Sequence, residues 1–417
     1  MESIREDSER RVTMIEEEGV QPLIATRTPE GGLTDQPYIS VIVTAYNRRR
    51  YLPFALKSLE AQTLPRDRFE VIVVKNFEDR ESDNIISRNG WKDVYNDDPY
   101  HGRMVLAGLE EAKGEVITFL DDDDMYTDNR LEEVYKAFTS FKRLVYFHNS
   151  QAIIDDKGNV LERPPRSKNL VGGSPIVIDV DKLQMLAKKY GMSTVDIITL
   201  KIRVGADVNN GSVAVRRHIV ESHAQLLKRL PSSIDSFVLV SSLRAGGLMY
   251  FTDEKLTLYR VHGENWSCVH WSCALRLKES KEMRLRRARA LLQLIKTGQL
   301  IGSSLLDDDI NKYLCLERSS KGSLLLWLQP ELGTLPPELR LSLSDVKLAL
   351  SCYKLALSWY KIGAKDLVDV IFVMGSVLLS PLLASPRGRL VIGKLLERVV
   401  EALTTKKSLK RERESLR

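Results

Sequence analysis

The chain has 417 residues, 43% of them hydrophobic and 28% charged, and a formal net charge of +6. That composition is ordinary for a globular protein, and the length allows two domains. Its four cysteines, Cys268, Cys273, Cys315 and Cys352, argue against a secreted disulfide framework. Cys268, His270 and Cys273 lie close together, but no fourth ligand is evident and their spacing matches no common zinc module. Residues 1–37 read as a polar tail, and Met1 to Glu18 has no signal-peptide core. A cytoplasmic protein is expected.

The first structured run is Tyr38 to Arg48, β-rich and ending in a polar turn. A helix follows, with Tyr51, Leu52, Ala55, Leu56 and Leu59 on one face, ending at Gln62-Thr63; Asn47 is its expected cap. Phe69 to Val74 is a continuous apolar strand, and Glu115 to Leu120 is another, preceded by a helix whose exit carries Gly114. This alternation predicts an α/β fold with a parallel sheet covered on both faces. Ligands in such sheets collect at the carboxyl strand ends, here Thr44 to Asn47, Lys75 to Asp79 and Asp121 to Asp124. Gly102, Gly108 and Gly114 read as turn or packing glycines rather than a phosphate loop.

Four consecutive aspartates, Asp121 to Asp124, close the Glu115 to Leu120 strand. So much negative charge at one strand end must be balanced by water or a cation. Carboxylate oxygens suit hard divalent cations such as Mg²⁺ or Mn²⁺, which in turn favour phosphate. The plainer reading is a solvated acidic turn that caps a helix beginning near Asp128.

The segment Val145 to Gly211 is less regular. Tyr146 to Ile154 reads as one or two strands ending in the turn Asp155 to Asn159, Pro164 to Gly173 as a loop, and Thr194 to Val204 as strand or helix. Beyond about Leu275 helical patterns replace strands, including Arg276 to Lys296 and Leu341 to Ile362. Leu367 to Ala384 has Asp369 as its one charge and basic residues on both sides, Lys361 and Lys365 before it and Arg387, Arg389 and Lys394 after. At ~1.5 Å per residue it reaches only about 27 Å, short for a membrane span, so burial and peripheral attachment to the cytoplasmic face of a membrane are the two favoured readings. The basic run Lys406 to Arg413 is interrupted by Glu412 and accompanies no nucleic-acid fold, so a solvated tail is expected rather than nucleic acid binding.

Several separated motifs occur in the order found in family 2 glycosyltransferases of the GT-A fold, and residues 38–267 resemble that family. The matching runs are V-I-V-T-A-Y-N-R, L-K-S-L-E-A-Q-T-L, F-E-V-I-V-V, G-L-E-E-A-K-G-E-V-I-T-F-L-D-D-D-D and L-T-L-Y-R-V-H-G-E-N-W-S. The resemblance implies a Rossmann-like mixed sheet followed by a mainly α-helical region at 268–417. It implies that Thr44 and Tyr46 hold the nucleotide base, that Asp121 and Asp122 contact the donor, and that Asp123 and His262 bind the metal. It places Asp235 as the base for the acceptor hydroxyl, whose plainer role is to cap the helix Ser236 to Ala245. Ser212 to Arg217 resembles the strand bordering the acceptor pocket.

The chain departs from the family twice. Lys75-Asn76 replaces an acidic pair, and the Asn76 carbonyl could accept a base imide N–H in its place. His101 to Leu106 replaces a common A-R-N element, and Arg103 is the candidate for the missing arginine. Breaking a sugar–diphosphate bond calls for charge stabilisation by a metal and a second cation, for which Arg103 and Arg260 are candidates. One base and one metal suffice for displacement with inversion, whereas hydrolysis would need a carboxylate pair across the bond. A nucleotidyltransferase would want a glycine- and lysine-rich loop after the first strand, which Thr44 to Arg48 is not. The expected partners are a nucleotide-diphosphate sugar and a glycan or lipid-linked acceptor; a scaffold that binds nucleotide sugar without turnover is the alternative.

Overall fold

The computed structural model describes residues 36–161, 175–182, 185, 209–262, 297, 300 and 301. Of two compact units, the one comprising Arg10–Gly263 and Ser303–Leu306 holds the sheet. The expected helical region 268–417 with its apolar stretch, the loop at 164–173 and the segment 194–204 lie outside the described residues, apart from 297, 300 and 301. Among the described residues, no helix is long and apolar enough to cross a membrane.

Strand β1 (Ile39–Ala45) is buried along its whole length. Its odd residues, Ile39, Val41, Val43 and Ala45, share a core with Leu52, Ala55, Leu56 and Leu59 of helix α1 (Leu52–Glu60). The even residue Ile42 faces helix α3 (His101–Glu111), where a Cβ on Gly108 would lie 2.6 Å from Ile42 Cγ2. Cover on both faces explains why β1 reads as continuous apolar sequence rather than alternation. Strand β2 (Phe69–Lys75) runs parallel to β1, and β4 (Val116–Asp121) flanks β1 in parallel on its other side. Between β2 and β4 the chain forms helix α2 (Arg80–Arg88), then a short strand β3 (Lys92–Tyr95) parallel to β2, then α3.

The strand expected at Glu115 to Leu120, read as the next after Phe69 to Val74, is therefore the fourth, with β3 between them. Strand β3 carries no apolar run because it is a four-residue edge, partly exposed along its length. The sheet continues past β5 (Met125–Tyr126) and helix α4 (Arg130–Ser140) with β6 (Leu144–Ile154), β7 (Ile176–Asp179), β8 (Val213–Arg216) and β9 (Leu248–Arg260). The order is β3-β2-β1-β4-β8-β6-β9-β5, with β7 also on β9. Strand β8 is antiparallel to β4 and β6, while β6 and β9 run parallel. The expected all-parallel sheet thus holds for β1 to β4, and the whole is the mixed Rossmann-like sheet of the α/β class. Helices α5 (Arg217–Glu221), α6 (Ala224–Leu227) and α7 (Ile234–Ala245) lie between β8 and β9.

Helix α3 starts where it does because its first turn docks on the chain after α6. Gly102 N–H donates to the Leu230 carbonyl at 3.0 Å, and a Cβ on Gly102 would fall on the Leu227 carbonyl oxygen. Gly114 approaches β1 equally closely, its added Cβ lying 2.6 Å from Ser40 N. The three glycines therefore serve packing, as expected. Alanine ordinarily stabilises a helix over glycine, but here a backbone carbonyl stands in the way. Gly102→Ala is expected to lower stability by about 1–3 kcal/mol, measured by urea denaturation.

Candidate active site at the carboxyl edge of the sheet

Strands β1 and β4 place Thr44 beside Asp121 in parallel register, so both loops leave the sheet together. The four aspartates then turn back under the sheet edge rather than into water. Asp122, Asp123 and Asp124 are 3%, 7% and 1% exposed, which overturns the solvated-turn reading. Nor do they cap α4, whose N-cap is Asn129 and receives no side-chain cap. Burial demands a partner for each carboxylate, and each has one.

Asp121 accepts from Asn210 Nδ2 at 3.1 and 3.2 Å and lies 3.7 Å from His101 Nε2. Asp122 receives both branches of the Arg48 guanidinium, with Nε at 2.9 and 3.1 Å from its two oxygens. Asp123 Oδ2 lies 3.0 Å from His262 Nε2 and 2.9 Å from Arg48 Nη2. Asp124 accepts the Arg260 backbone N–H at 2.9 Å and Asn209 Nδ2 at 2.6 Å.

Burial raises Asp121 and Asp124, reinforced by neighbouring carboxylates. Burial likewise pushes Asp122 up to about 7 against the pull of Arg48. Burial would raise Asp123 too, but His262 and Arg48 outweigh it and hold its carboxyl below the ordinary value.

One oxygen each from Asp121, Asp123 and Asp124 lies within 4.8 Å of the others. That is a hard, all-oxygen donor set with excess negative charge, and it fits Mg²⁺ or Mn²⁺. Asp122 falls outside it, on Arg48. His262 sits in hydrogen-bond contact with Asp123, its ring 4.7 Å from that of Tyr51.

The remaining candidates divide. Thr44 Oγ1 bonds His101 Nε2 at 3.1 Å, and Tyr46 is 37% exposed just beyond β1. Asn76 does not face the edge alone: its Oδ1 accepts Asn47 N–H at 2.8 Å while its Nδ2 donates to Asn47 Oδ1 at 2.9 Å. Asn47, at φ 56°, is therefore a partner of Asn76 and not the cap of α1, whose N-cap is Tyr51. Arg103 points away, bonding Asp98 at 2.6 Å and the Lys228 carbonyl at 2.9 Å. Arg260 is 2% exposed and donates to the carbonyls of Asp123, Asp155 and Asp156 at 2.9, 3.1 and 3.1 Å. Its guanidinium closes the Asp155 turn onto the aspartate run.

Asp235, half-buried in the first turn of α7, accepts Ser236 N–H at 2.8 Å and Asn209 N–H at 3.1 Å. Its own N–H donates to Asn210 Oδ1 at 2.9 Å. Asn209 and Asn210 therefore tie Asp235 to Asp124 and Asp121. Sequence reasoning missed this pair, along with Arg48 and His101. Arg48 ends a quoted motif and His101 opens the segment that replaces A-R-N, whereas nothing local marks the asparagines.

Residues 40–173 match the family model for glycosyl transferase family 2. An uncharacterized glycosyltransferase of Nostoc sp. (strain PCC 7120) is 28% identical over 131 residues, 30% of this chain and 40% of that protein. One from Haemophilus influenzae is 30% identical over 144 residues, 33% of this chain and 56% of its own length. The match thus spans about half or less of these relatives. Among solved structures, Staphylococcus aureus TarS 1-349 in complex with UDP-GlcNAc is 14% identical with a TM-score of 0.42, covering 88% of this chain and 92% of that one. The mannosyltransferase PcManGT from Pyrobaculum calidifontis, in complex with GDP-Man and Mn²⁺, is 14% identical with a TM-score of 0.44, covering 90% and 93%.

Because Arg260 bonds three carbonyls from a buried position, Arg260→Lys is expected to cost about 2–4 kcal/mol of stability, read by chemical denaturation. Residues 40–173 are thus similar in sequence to glycosyl transferase family 2, within the span where the motifs resemble it.

Proposed function

We propose that this chain is a metal-dependent glycosyltransferase that moves a sugar from a nucleotide-diphosphate donor to a hydroxyl acceptor with inversion. The observation that carries the reading is the buried set Asp121, Asp123 and Asp124 at the carboxyl edge of β4, within the segment that matches family 2. Buried carboxylates with raised pKa at a sheet edge mark a site built to receive positive charge. In this reading Asp121, Asp123 and Asp124 hold Mg²⁺ or Mn²⁺, with His262 orienting Asp123 rather than ligating directly. The metal, when bound, supplies charge stabilisation for the departing diphosphate.

The chain's own residues supply the rest. Thr44 and Tyr46 flank the base, with the Asn47–Asn76 pair beside them. Asp235 takes the proton from the acceptor hydroxyl. The Asn209 and Ser236 N–H groups donate to its carboxylate and hold it in place. A glycan or a lipid-linked hydroxyl is the acceptor class, and peripheral membrane attachment through the region after residue 268 would suit the latter.

Binding of UDP-, GDP- and dTDP-sugars with Mn²⁺ or Mg²⁺, measured by calorimetry, tests this. Metal-dependent binding of one donor, lost by at least about tenfold in Asp123→Ala, is the expected outcome. Absence of binding to every donor under either metal would refute the reading. Binding with no sugar transfer to any hydroxyl would point to the scaffold alternative.

Protons compete for the same oxygens. A carboxyl whose folded pKa is raised favours the fold when protonated; that contribution is full below about 4 and is lost as pH rises through the folded value. A cation relieves the penalty at the high-pH side. Because Asp121 and Asp124 of the donor set are raised, Mn²⁺ affinity is expected to fall as pH drops and protons claim their oxygens. Each displaced proton lowers the affinity by up to about tenfold per pH unit, read by titration followed with electron paramagnetic resonance.

A further inference from the structure

Departure of a diphosphate calls for a cation besides the metal, and the two arginines expected from the sequence are both engaged elsewhere. Arg103 is bonded to Asp98 and the Lys228 carbonyl and stacked over the Tyr100 ring at 4.7 Å. Arg260 is buried and directed at backbone carbonyls. Among the described residues, one other guanidinium reaches the carboxylate cluster. Arg48 lies in the turn after β1, follows the left-handed Asn47, and spans Asp122 and Asp123 with its side chain 19% exposed.

Three features of Arg48 bear on what it does. It is held by a loop rather than a strand, so its head group can shift without disturbing the sheet. Its planar fork matches phosphate as well as carboxylate. Its two partners also differ: Asp122 lies outside the cation set, whereas Asp123 belongs to it. A divalent cation on Asp123 would repel the guanidinium from that carboxylate and leave Asp122 as its anchor. The nearest new anion would then be the metal-bound diphosphate.

We propose that Arg48 is the diphosphate-contacting cation of this site, exchanging Asp123 for a donor phosphate while Asp122 keeps its guanidinium in place. This rests on the glycosyltransferase reading. In the metal-free protein the same guanidinium compensates Asp122 and Asp123, so removing it should leave the carboxylates more open to a metal.

The experiment measures Mn²⁺ alone, Mn²⁺ with inorganic pyrophosphate, and Mn²⁺ with UDP, GDP and dTDP against their monophosphates, by calorimetry on the full chain. Arg48→Gln is expected to weaken pyrophosphate and nucleoside diphosphate binding at least about tenfold. It should spare the monophosphate and bind Mn²⁺ alone as tightly as wild type or more tightly. Arg48→Lys, which keeps the charge but not the fork, should show a smaller loss. It provides the readout if Arg48→Gln does not fold.

Unchanged diphosphate affinity in both variants would overturn the role of Arg48 alone. An equal loss of Mn²⁺, monophosphate and diphosphate binding would do the same, because it would make Arg48 a structural anchor. A wild-type protein that binds neither pyrophosphate nor any nucleoside diphosphate with Mn²⁺ would overturn the glycosyltransferase reading and this proposal with it.

Discussion

Four negative charges in succession at the end of a buried strand are the constraint around which this domain is arranged. Taking even one carboxylate out of water costs several kcal/mol unless it is paired. The sheet edge takes in three almost completely, Asp122, Asp123 and Asp124. Compensation comes from far along the chain: Arg48 from the β1 turn, Asn209 and Asn210 from the turn before β8, and Arg260 and His262 from the end of β9. None of these groups is a neighbour in sequence. The carboxylates therefore act as a hub that fixes the ends of three strands relative to β4. The cost of that hub is electrostatic stress, visible in the raised Asp121, Asp122 and Asp124, and such stress is what a cation would relieve.

The backbone carries a second sign of the same arrangement. Among the described residues, the non-glycine positions with positive φ are Asn47, Asn209 and Ser233. Each borders the site: Asn47 precedes Arg48, Asn209 bonds Asp124 and Asp235, and Ser233 stands two residues before Asp235. Such conformations cost about 1 kcal/mol or more and persist only where surroundings over-determine them. Asparagine is the natural occupant of two of them, because its short amide can bond locally. Here that amide does more, since Asn47 closes a reciprocal pair with Asn76, and Asn209 reaches across to Asp124.

Much of this was legible in the sequence. The apolar runs of β1, β2 and β4 are readable because both sheet faces are covered, so each strand is a block of core residues. The aspartates were visible as a charge problem, and the resemblance named both Asp123 and His262 for the metal, though not their hydrogen bond to each other. What escaped the reading shares one property, reliance on contacts with no local signature. Strand β3 is a polar edge. Arg48 ends a motif run, but flanked by Arg49 and Arg50 it carries no local mark of its contacts with Asp122 and Asp123. Asn209 and Asn210 bond aspartates 85 and 89 positions away, with no periodicity to betray them. The contacts of Arg103 were hidden for a related reason: Gly102 seats the start of α3 on the Leu230 carbonyl, so His101 meets Thr44 while Arg103 bonds Asp98 and the Lys228 carbonyl.

The asparagine bridge also bears on how the proposed base and the cation site are related. Asp235 does not stand apart across a cleft; Asn209 and Asn210 join it to Asp124 and Asp121 through five hydrogen bonds. A carboxylate base must sit within about 3 Å of the hydroxyl it deprotonates, and small misplacements are costly in rate. Two flexible loops could not hold that spacing independently. A shared network of amides, each donating to a carboxylate on one side and engaging Asp235 on the other, fixes the distance between the proposed base and the candidate cation site. Because amides carry no net charge, they do so without altering the charge that the carboxylates offer to a cation.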